Sequence, residues 1–321
     1  MRSIISFQSI VPHSVRQSFR LQKTITHSVS LHGFGFWTGD NVTLTFRPGR
    51  PSSGVVFIRT DLDGCPSIPA DVAYREEKPR QTSLVNGAAR VDMVEHLLAA
   101  VKALQIDNLE IETDRPEMPG FDGSSRFFFN ALECADIIDQ PAFKKIRVVT
   151  ETFRVGDDTH YITVSPHPNG LSGYRYSLVP EHNYPLESQD FRFDLTAANF
   201  AEKLVGSRTF LAKFEADKLQ ASGLCQRVTP QDVLVLSENG PIDNSYRYTD
   251  ECARHKTLDM VGDFSLADFD IIGTIESYRG SHSLNAECLR EMRRHSMILD
   301  EKYISQHNDF FRSNEERLKV A

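Results

Sequence analysis

The chain has 321 residues, 40% hydrophobic and 25% charged, which fits a globular protein with a core and excludes a disordered tail or a disulfide-stapled miniprotein. Lys and Arg number 36 against 44 Asp and Glu, a formal net charge of -8 that argues against general nucleic-acid binding but leaves room for a local basic pocket. At roughly 150 residues per domain, the length predicts two domains. The five cysteines, at 65, 134, 225, 252 and 288, form no CxxC pair. That pattern speaks against a disulfide framework or a cysteine zinc knuckle and for a reducing compartment. No run approaches the roughly 18 uncharged apolar residues of a membrane helix, so no transmembrane span is expected.

No acidic residue precedes Asp40, whereas Arg2, Arg16, Arg20 and Lys23 are basic. Residues 1–20 read as a bacterial N-terminal extension with a cytoplasmic chain behind it. An organelle transit peptide is the alternative. Thr24-Ile25-Thr26 and Val42 to Phe46 alternate in polarity like half-buried strands. Between them, Gly33 to Gly39 reads as a glycine-punctuated turn; its spacing and the lack of a following helix exclude a dinucleotide loop. Apolar residues at 93, 94, 97, 98, 101 and 104 mark one face of a helix, followed by a strand at 108–112. Asp122-Gly123-Ser124-Ser125 is placed to cap a second helix near 125–136.

The pattern then recurs. Residues 146–155, 160–165 and 192–195 are strand-like, and a helix is predicted near 197–205. A helix from Asp250 to Leu266, a strand from Phe269 to Tyr278 and a helix over about 284–303 follow. The result is an α+β chain in two halves. The boundary is placed at Asp139-Gln140-Pro141, giving domains at 21–140 and 141–303 and a tail at 304–321.

His255 and Asp259 are four apart on a predicted helix and so share a face, a pairing that suits Zn²⁺ but supplies only two ligands. Glu95-His96 sits among Val94, Leu97 and Leu98. It is either an exposed pair on the polar face or a third ligand, His96, with a general base beside it, Glu95; burying such a pair is expensive without a task. No HExxH motif is present. His282 follows a predicted strand, where loops often carry catalytic groups. Asp263, on the face of His255 and Asp259, either orients His282 or solvates the helix.

Taken in order, Met93-Val94-Glu95-His96-Leu97-Leu98-Ala99-Ala100, Ile106-Asp107-Asn108, Pro116-Glu117-Met118-Pro119 and Phe121 to Ser125 form a set with later segments. These are Ser207-Arg208-Thr209-Phe210, Arg254-His255-Lys256-Thr257-Leu258-Asp259 with Gly262-Asp263, and Gly280 to Asn285. Over about residues 21–300 the chain resembles the zinc-dependent UDP-3-O-acyl-N-acetylglucosamine deacetylases of lipid A biosynthesis. The resemblance implies two similar domains, each a mostly antiparallel sheet packed on two helices, with the active site between them. It implies a Zn²⁺ cofactor on His96, His255 and Asp259, Glu95 as general base, and His282 as general acid paired with Asp263. It further implies that Thr209 helps bind the oxyanion, Phe210 lines the substrate cleft and Lys256 meets the diphosphate of an acylated UDP-amino-sugar. A monomer is expected.

The substrate-shaping segments depart from the family pattern. The turn reads Phe36-Trp37-Thr38-Gly39 where Leu-His-Thr-Gly is usual, and Leu211-Ala212 replace a glycine and an aromatic. Leu224 to Pro230 replace a small, glycine-rich segment of the acyl-passage insert, and Arg227 there is expected either to cap the passage or to point to solvent. A deacetylase for a different N-acetyl sugar and a non-catalytic binding paralogue are the alternatives.

Overall fold

The computed structural model describes residues 19–299. Most of the N-terminal extension and the whole tail at 304–321 lie outside the described residues. Six α-helices occur among them: α1 (Glu95–Ala103), α2 (Arg126–Glu133), α3 (Ala197–Lys203), α4 (Lys213–Ala221), α5 (Glu251–Phe264) and α6 (His282–Met292). The fold is α+β with mostly antiparallel sheets, as the sequence predicts.

In the first half, five strands lie in the order Val29–Phe34, Asn41–Pro48, Leu109–Thr113, Val55–Arg59 and Ser67–Pro69. Their alternation is regular: Val42, Leu44 and Phe46 face the core, while Thr43, Thr45 and Arg47 do not. A smaller three-stranded sheet, Arg75–Glu76, Ser83–Asn86 and Ala89–Asp92, leads directly into α1. In the second half, the nine-residue strand Asp270–Tyr278 is the hub. Its start pairs parallel with Ile146–Val149, and its end lies between Tyr161–Ser165 and Ser172–Leu178. A further three-stranded sheet, Phe210–Ala212, Leu234–Ser237 and Gly240–Pro241, carries α4 on its first connection. One continuous apolar cluster runs from Ile25 and Phe46 to Phe264 and Ile275, so the two halves share a core.

Several local readings change. Gly33 and Phe34 end a strand, and the turn proper follows them. It wraps the buried Glu117 carboxylate, which accepts from the backbone N–H groups of Trp37 and Thr38 and from the Thr38 hydroxyl. A Cβ at Gly35 would fall 2.4 Å from Glu117 Oε2, which explains the glycine. Residues 146–155 are two strands rather than one, Ile146–Val149 and Phe153–Gly156. The last helix stops at Met292, and Ser296–Leu299 becomes an edge strand beside Ile146–Val149; pairing with an open sheet edge overrides the helical period. Asp139, Gln140 and Pro141 lie inside the strand Ile137–Phe143, which pairs with Leu21–Ile25. The ladder jumps there from Gln22–Gln140 to Leu21–Phe143, so Pro141, which has no N–H to donate, falls in a bulge. Arg20, read as the end of the extension, is tied to Asp107 at 2.6 Å and to Asp270 at 2.9 Å.

Candidate metal centre and cavity

Helix α1 reads Glu-His-Leu-Leu-Ala-Ala-Val-Lys-Ala, a run of strong helix formers. All of it except Lys102 is buried, Glu95 and His96 included, so the exposed-pair reading does not hold. Helix α5 is buried along almost its whole length as well. The two pack together in the interior, although α5 carries Glu251, Asp259 and Asp263, each of which is paired there with Arg208, Lys256 or His282. Gly262 makes the close approach: a Cβ at this position would lie 2.0 Å from the Glu95 carbonyl oxygen. The first turn of α1 therefore rests directly on the backbone of α5, one turn beyond Asp259.

This packing brings three ligand atoms together. One atom from each of His96, His255 and Asp259 lies within 4.8 Å of the others. His96 Nε2 and His255 Nε2 are each 3.4 Å from Asp259 Oδ1. A tetrahedral ion about 2.0–2.1 Å from its ligands holds them about 3.3–3.4 Å apart. Asp259 Oδ1 is buried and has no hydrogen-bond partner, although two imidazoles face it. A buried carboxylate oxygen without a donor is costly, and a cation relieves it. Protonation suits a ligand set too. Burial drives the His255 imidazole down to about 3, against the pull of Asp259, so it is neutral with a lone pair to give. Its Nδ1 donates to the Ser207 carbonyl at 3.4 Å, which turns Nε2 toward Asp259. Burial disfavours the Asp259 carboxylate, yet Lys256, 2.7 Å from Oδ2, helps hold it well below the usual carboxylate range.

Two more titratable groups flank the cluster. Burial raises Glu95 above the ordinary carboxyl value, against the opposing charges of His282 and His96. His282 is the first residue of α6 rather than a loop residue; Ser281 caps the helix by accepting from the Leu284 N–H at 3.3 Å. A helix N-terminus disfavours a cation, as does burial. Asp263 outweighs burial: its Oδ2 takes the His282 Nδ1 proton at 2.8 Å, and the imidazole is raised to about 9. Nε2 is left facing the cavity.

The cavity has a volume of about 550 Å³. Glu95, His96, His255, Asp259 and His282 line its polar end with Thr209, Phe210 and Lys256. Thr209 donates to the Gly123 carbonyl at 3.2 Å, and the Phe210 ring meets His255 edge-on at 6.1 Å. All nine residues predicted from the sequence are thus in or against one site, Asp263 through His282. Apolar walls come from Phe36, Trp37 and Met93 of the first half and from Leu211, Ala216, Leu219, Val228, Val233, Val235 and Ile242 of the insert. Arg227 does not line the cavity; it is exposed, yet tied down. It donates to the Gly39 carbonyl at 2.5 Å and to Asn41 Oδ1 at 2.8 Å, and it lies 4.3 Å from the Phe34 ring centre. A second tie joins Arg80 to Glu215 on α4 at 2.8 Å.

Sequence reasoning missed four participants. Thr82 and Asn285 both donate to Asp263, and Ser125, expected as a helix cap, instead donates to the His96 carbonyl at 2.7 Å. Ser125, Gly262 and Asn285 were legible only as parts of motifs, with no such role attached. None of these carries a spacing signal, because each is defined by what it touches across the fold.

Residues 22–294 match the family model of UDP-3-O-acyl N-acetylglycosamine deacetylase. The chain belongs to that family. A UDP-3-O-acyl-N-acetylglucosamine deacetylase of Myxococcus xanthus is 34% identical over 280 residues, covering 87% of this chain and 88% of the relative. Those of Haemophilus influenzae and Haemophilus ducreyi are 35% and 34% identical over 274 residues, 84% of this chain and 88% and 89% of theirs. Among the described residues, no helix is long and apolar enough to cross a membrane.

Proposed function

We propose that this deacetylase-family chain hydrolyses the N-acetyl amide of a UDP-3-O-acyl-N-acetylglucosamine, releasing acetate, in lipid A biosynthesis. The reading rests on one observation: a donorless buried Asp259 oxygen facing two imidazoles, flanked by Glu95 and a charged His282 at the end of an apolar cavity. In this reading His96, His255 and Asp259 hold Zn²⁺. The ion would supply Lewis acidity toward the amide carbonyl and a water of depressed pKa.

The chain's own residues do the rest. Glu95 accepts a proton from the attacking water; its raised pKa brings it closer to the working pH of a general base. The Thr209 hydroxyl turns from the Gly123 carbonyl to donate to the oxyanion as the carbonyl carbon becomes tetrahedral. His282 Nε2–H protonates the departing amine, and Asp263 keeps that proton in place until then. The C–N bond breaks and acetate and the free amine leave. Phe210 and the insert line the apolar part of the cavity and would take the acyl chain, and Lys256, at the polar end, would meet the diphosphate. In this reading the protein acts as a cytoplasmic monomer on an acylated UDP-amino-sugar.

Mass spectrometry of products from a panel of acylated UDP-sugars tests the reading. Loss of 42 mass units, about one acetyl for one hydrogen, is the expected result on the N-acetylglucosamine substrate. No acetate from any N-acetyl sugar by metal-loaded protein overturns it.

A further inference from the structure

We infer that Thr82 is a positioning residue that sets the base and the acid in one frame; this rests on the roles proposed above for Glu95, Asp263 and His282. Thr82 is fully buried, immediately before the strand Ser83–Asn86. Each of its polar groups reaches a different part of the site. Its carbonyl accepts from the Val94 N–H, at the start of α1, at 3.3 Å. Its N–H donates to Glu95 Oε2 at 2.9 Å, which leaves Oε1 free of it. Its hydroxyl donates to Asp263 Oδ1 at 2.5 Å.

The hydroxyl has one proton and two neighbours, Asp263 Oδ1 and His282 Nδ1 at 3.3 Å. Nδ1 already gives its own proton to Asp263 Oδ2, so the threonine proton goes to Oδ1. The other Asp263 oxygen also takes Asn285 Nδ2 at 2.7 Å. With Oδ2 held by His282 and Asn285, Thr82 is what fixes the plane of the carboxylate. Without that donor, Oδ1 is a buried unpaired oxygen, and the carboxylate is free to turn and take the imidazole with it. Among the described residues, the Thr82 hydroxyl makes no hydrogen bond to the three ligand residues, so it acts on proton transfer and leaves metal holding alone.

Thr82→Val keeps the shape and removes the hydroxyl; Thr82→Ser keeps the donor; Thr82→Ala removes the hydroxyl with less bulk should the valine variant not fold. The metal-loaded full chain is assayed for acetate release from UDP-3-O-acyl-N-acetylglucosamine. A hydrogen bond to a charged group sets the scale, so kcat is expected to fall roughly tenfold to a hundredfold in Thr82→Val. KM and metal content stay at wild type, and Thr82→Ser recovers most of kcat. In an Asp263→Asn background, Thr82→Val should cost no further kcat, because both act through one carboxylate. Wild-type kcat in Thr82→Val and Thr82→Ala, an equal loss in Thr82→Ser, or an undiminished loss in the Asp263→Asn background overturns the inference. If Asp263→Asn lowers kcat while Thr82→Val does not, only Thr82 is misassigned; if Asp263→Asn leaves kcat unchanged, the acid assignment itself has failed and the inference falls with it.

Discussion

Gly262→Ala separates two opposed expectations. Gly262 is inside α5, and helix propensity alone makes alanine about 1 kcal/mol more favourable there. The packing predicts the reverse sign. The new Cβ would sit 2.0 Å from the Glu95 carbonyl oxygen and 2.7 Å from its carbon, and both neighbours are backbone, so no side chain can swing aside. Ordinary contact begins near 3.4 Å, so the two helices must part by about 1.4 Å along that line (3.4 minus 2.0). Overpacking of this kind costs roughly 1–3 kcal/mol. The site suffers more than the fold. His96 follows Glu95 and moves with it, while Asp259 stays on α5, so their 3.4 Å separation opens beyond what one tetrahedral ion spans. A displacement near 1 Å costs on the order of a hundredfold in rate. Elemental analysis, a thermal melt and acetate release on one preparation decide the matter. The expected result is substoichiometric metal, a lowered melting temperature and at least about a hundredfold loss of turnover. A variant as stable as wild type or more so, with a full metal complement and normal rate, would refute the backbone-contact reasoning.

Glu95→Gln should keep its metal and lose roughly 10²–10⁴-fold in kcat, as a base rather than a ligand; loss of metal in that variant would make it structural. Because His282 is raised to about 9, its charged form persists at neutral pH, and kcat should fall as pH rises through about 9. Asp263→Asn should move that limb toward lower pH, and an unmoved limb would place the acid elsewhere. Arg20→Ala removes one counter-charge from the buried Asp107 and Asp270 carboxylates, which keep Lys144 and Lys102 as partners, and should cost about 1.5–3 kcal/mol in a urea melt, whereas a chain beginning at residue 19 should match wild type. Arg227→Ala loosens the insert from the Gly39 turn and should raise KM several-fold, on the scale of one or two hydrogen bonds, with kcat little changed; an unaltered KM would make that tie incidental.

The proposed metal ligands and the flanking acid and base were legible because they combine rare side chains with fixed helical spacing. His255 and Asp259 declare a shared face by count alone, and the ordered motifs supply the partner helix. The relation between α1 and α5 was not, since no period in either segment says which residue will touch the other backbone. Period also misled at the C-terminal end, where residues 296–299 join an open sheet edge despite a helical pattern. In the second half, Ser172–Leu178 escaped notice although Tyr174 and Tyr176 flank Arg175 in strand alternation, because Gly173 and two serines weaken its strand propensity. Helix α4 buries none of its residues and so carries no amphipathic signal. The Arg227 contact was beyond reach for a simpler reason: a long side chain in an irregular segment has no direction until its neighbours are placed.

The cavity wall and the reacting groups are built on different parts of the chain. Apart from Thr209, which adjoins the wall segment, the groups sit on α1, α5 and α6, whereas much of the wall hangs on the segment from Phe210 to Ile242. That segment reaches the core through Val233 and Val235 and meets the first half through polar ties that include Arg80–Glu215, Arg227–Gly39 and the Cys225 N–H on the Trp37 carbonyl at 3.2 Å. Substitutions in the wall can therefore accumulate without disturbing proton transfer or ligand spacing. The compartment can be reshaped by changes in that segment while the groups on the helices stay in place. An inhibitor gripping only the wall would be escaped by drift in that segment; one anchored on the three ligands and Glu95 would leave the enzyme no such route.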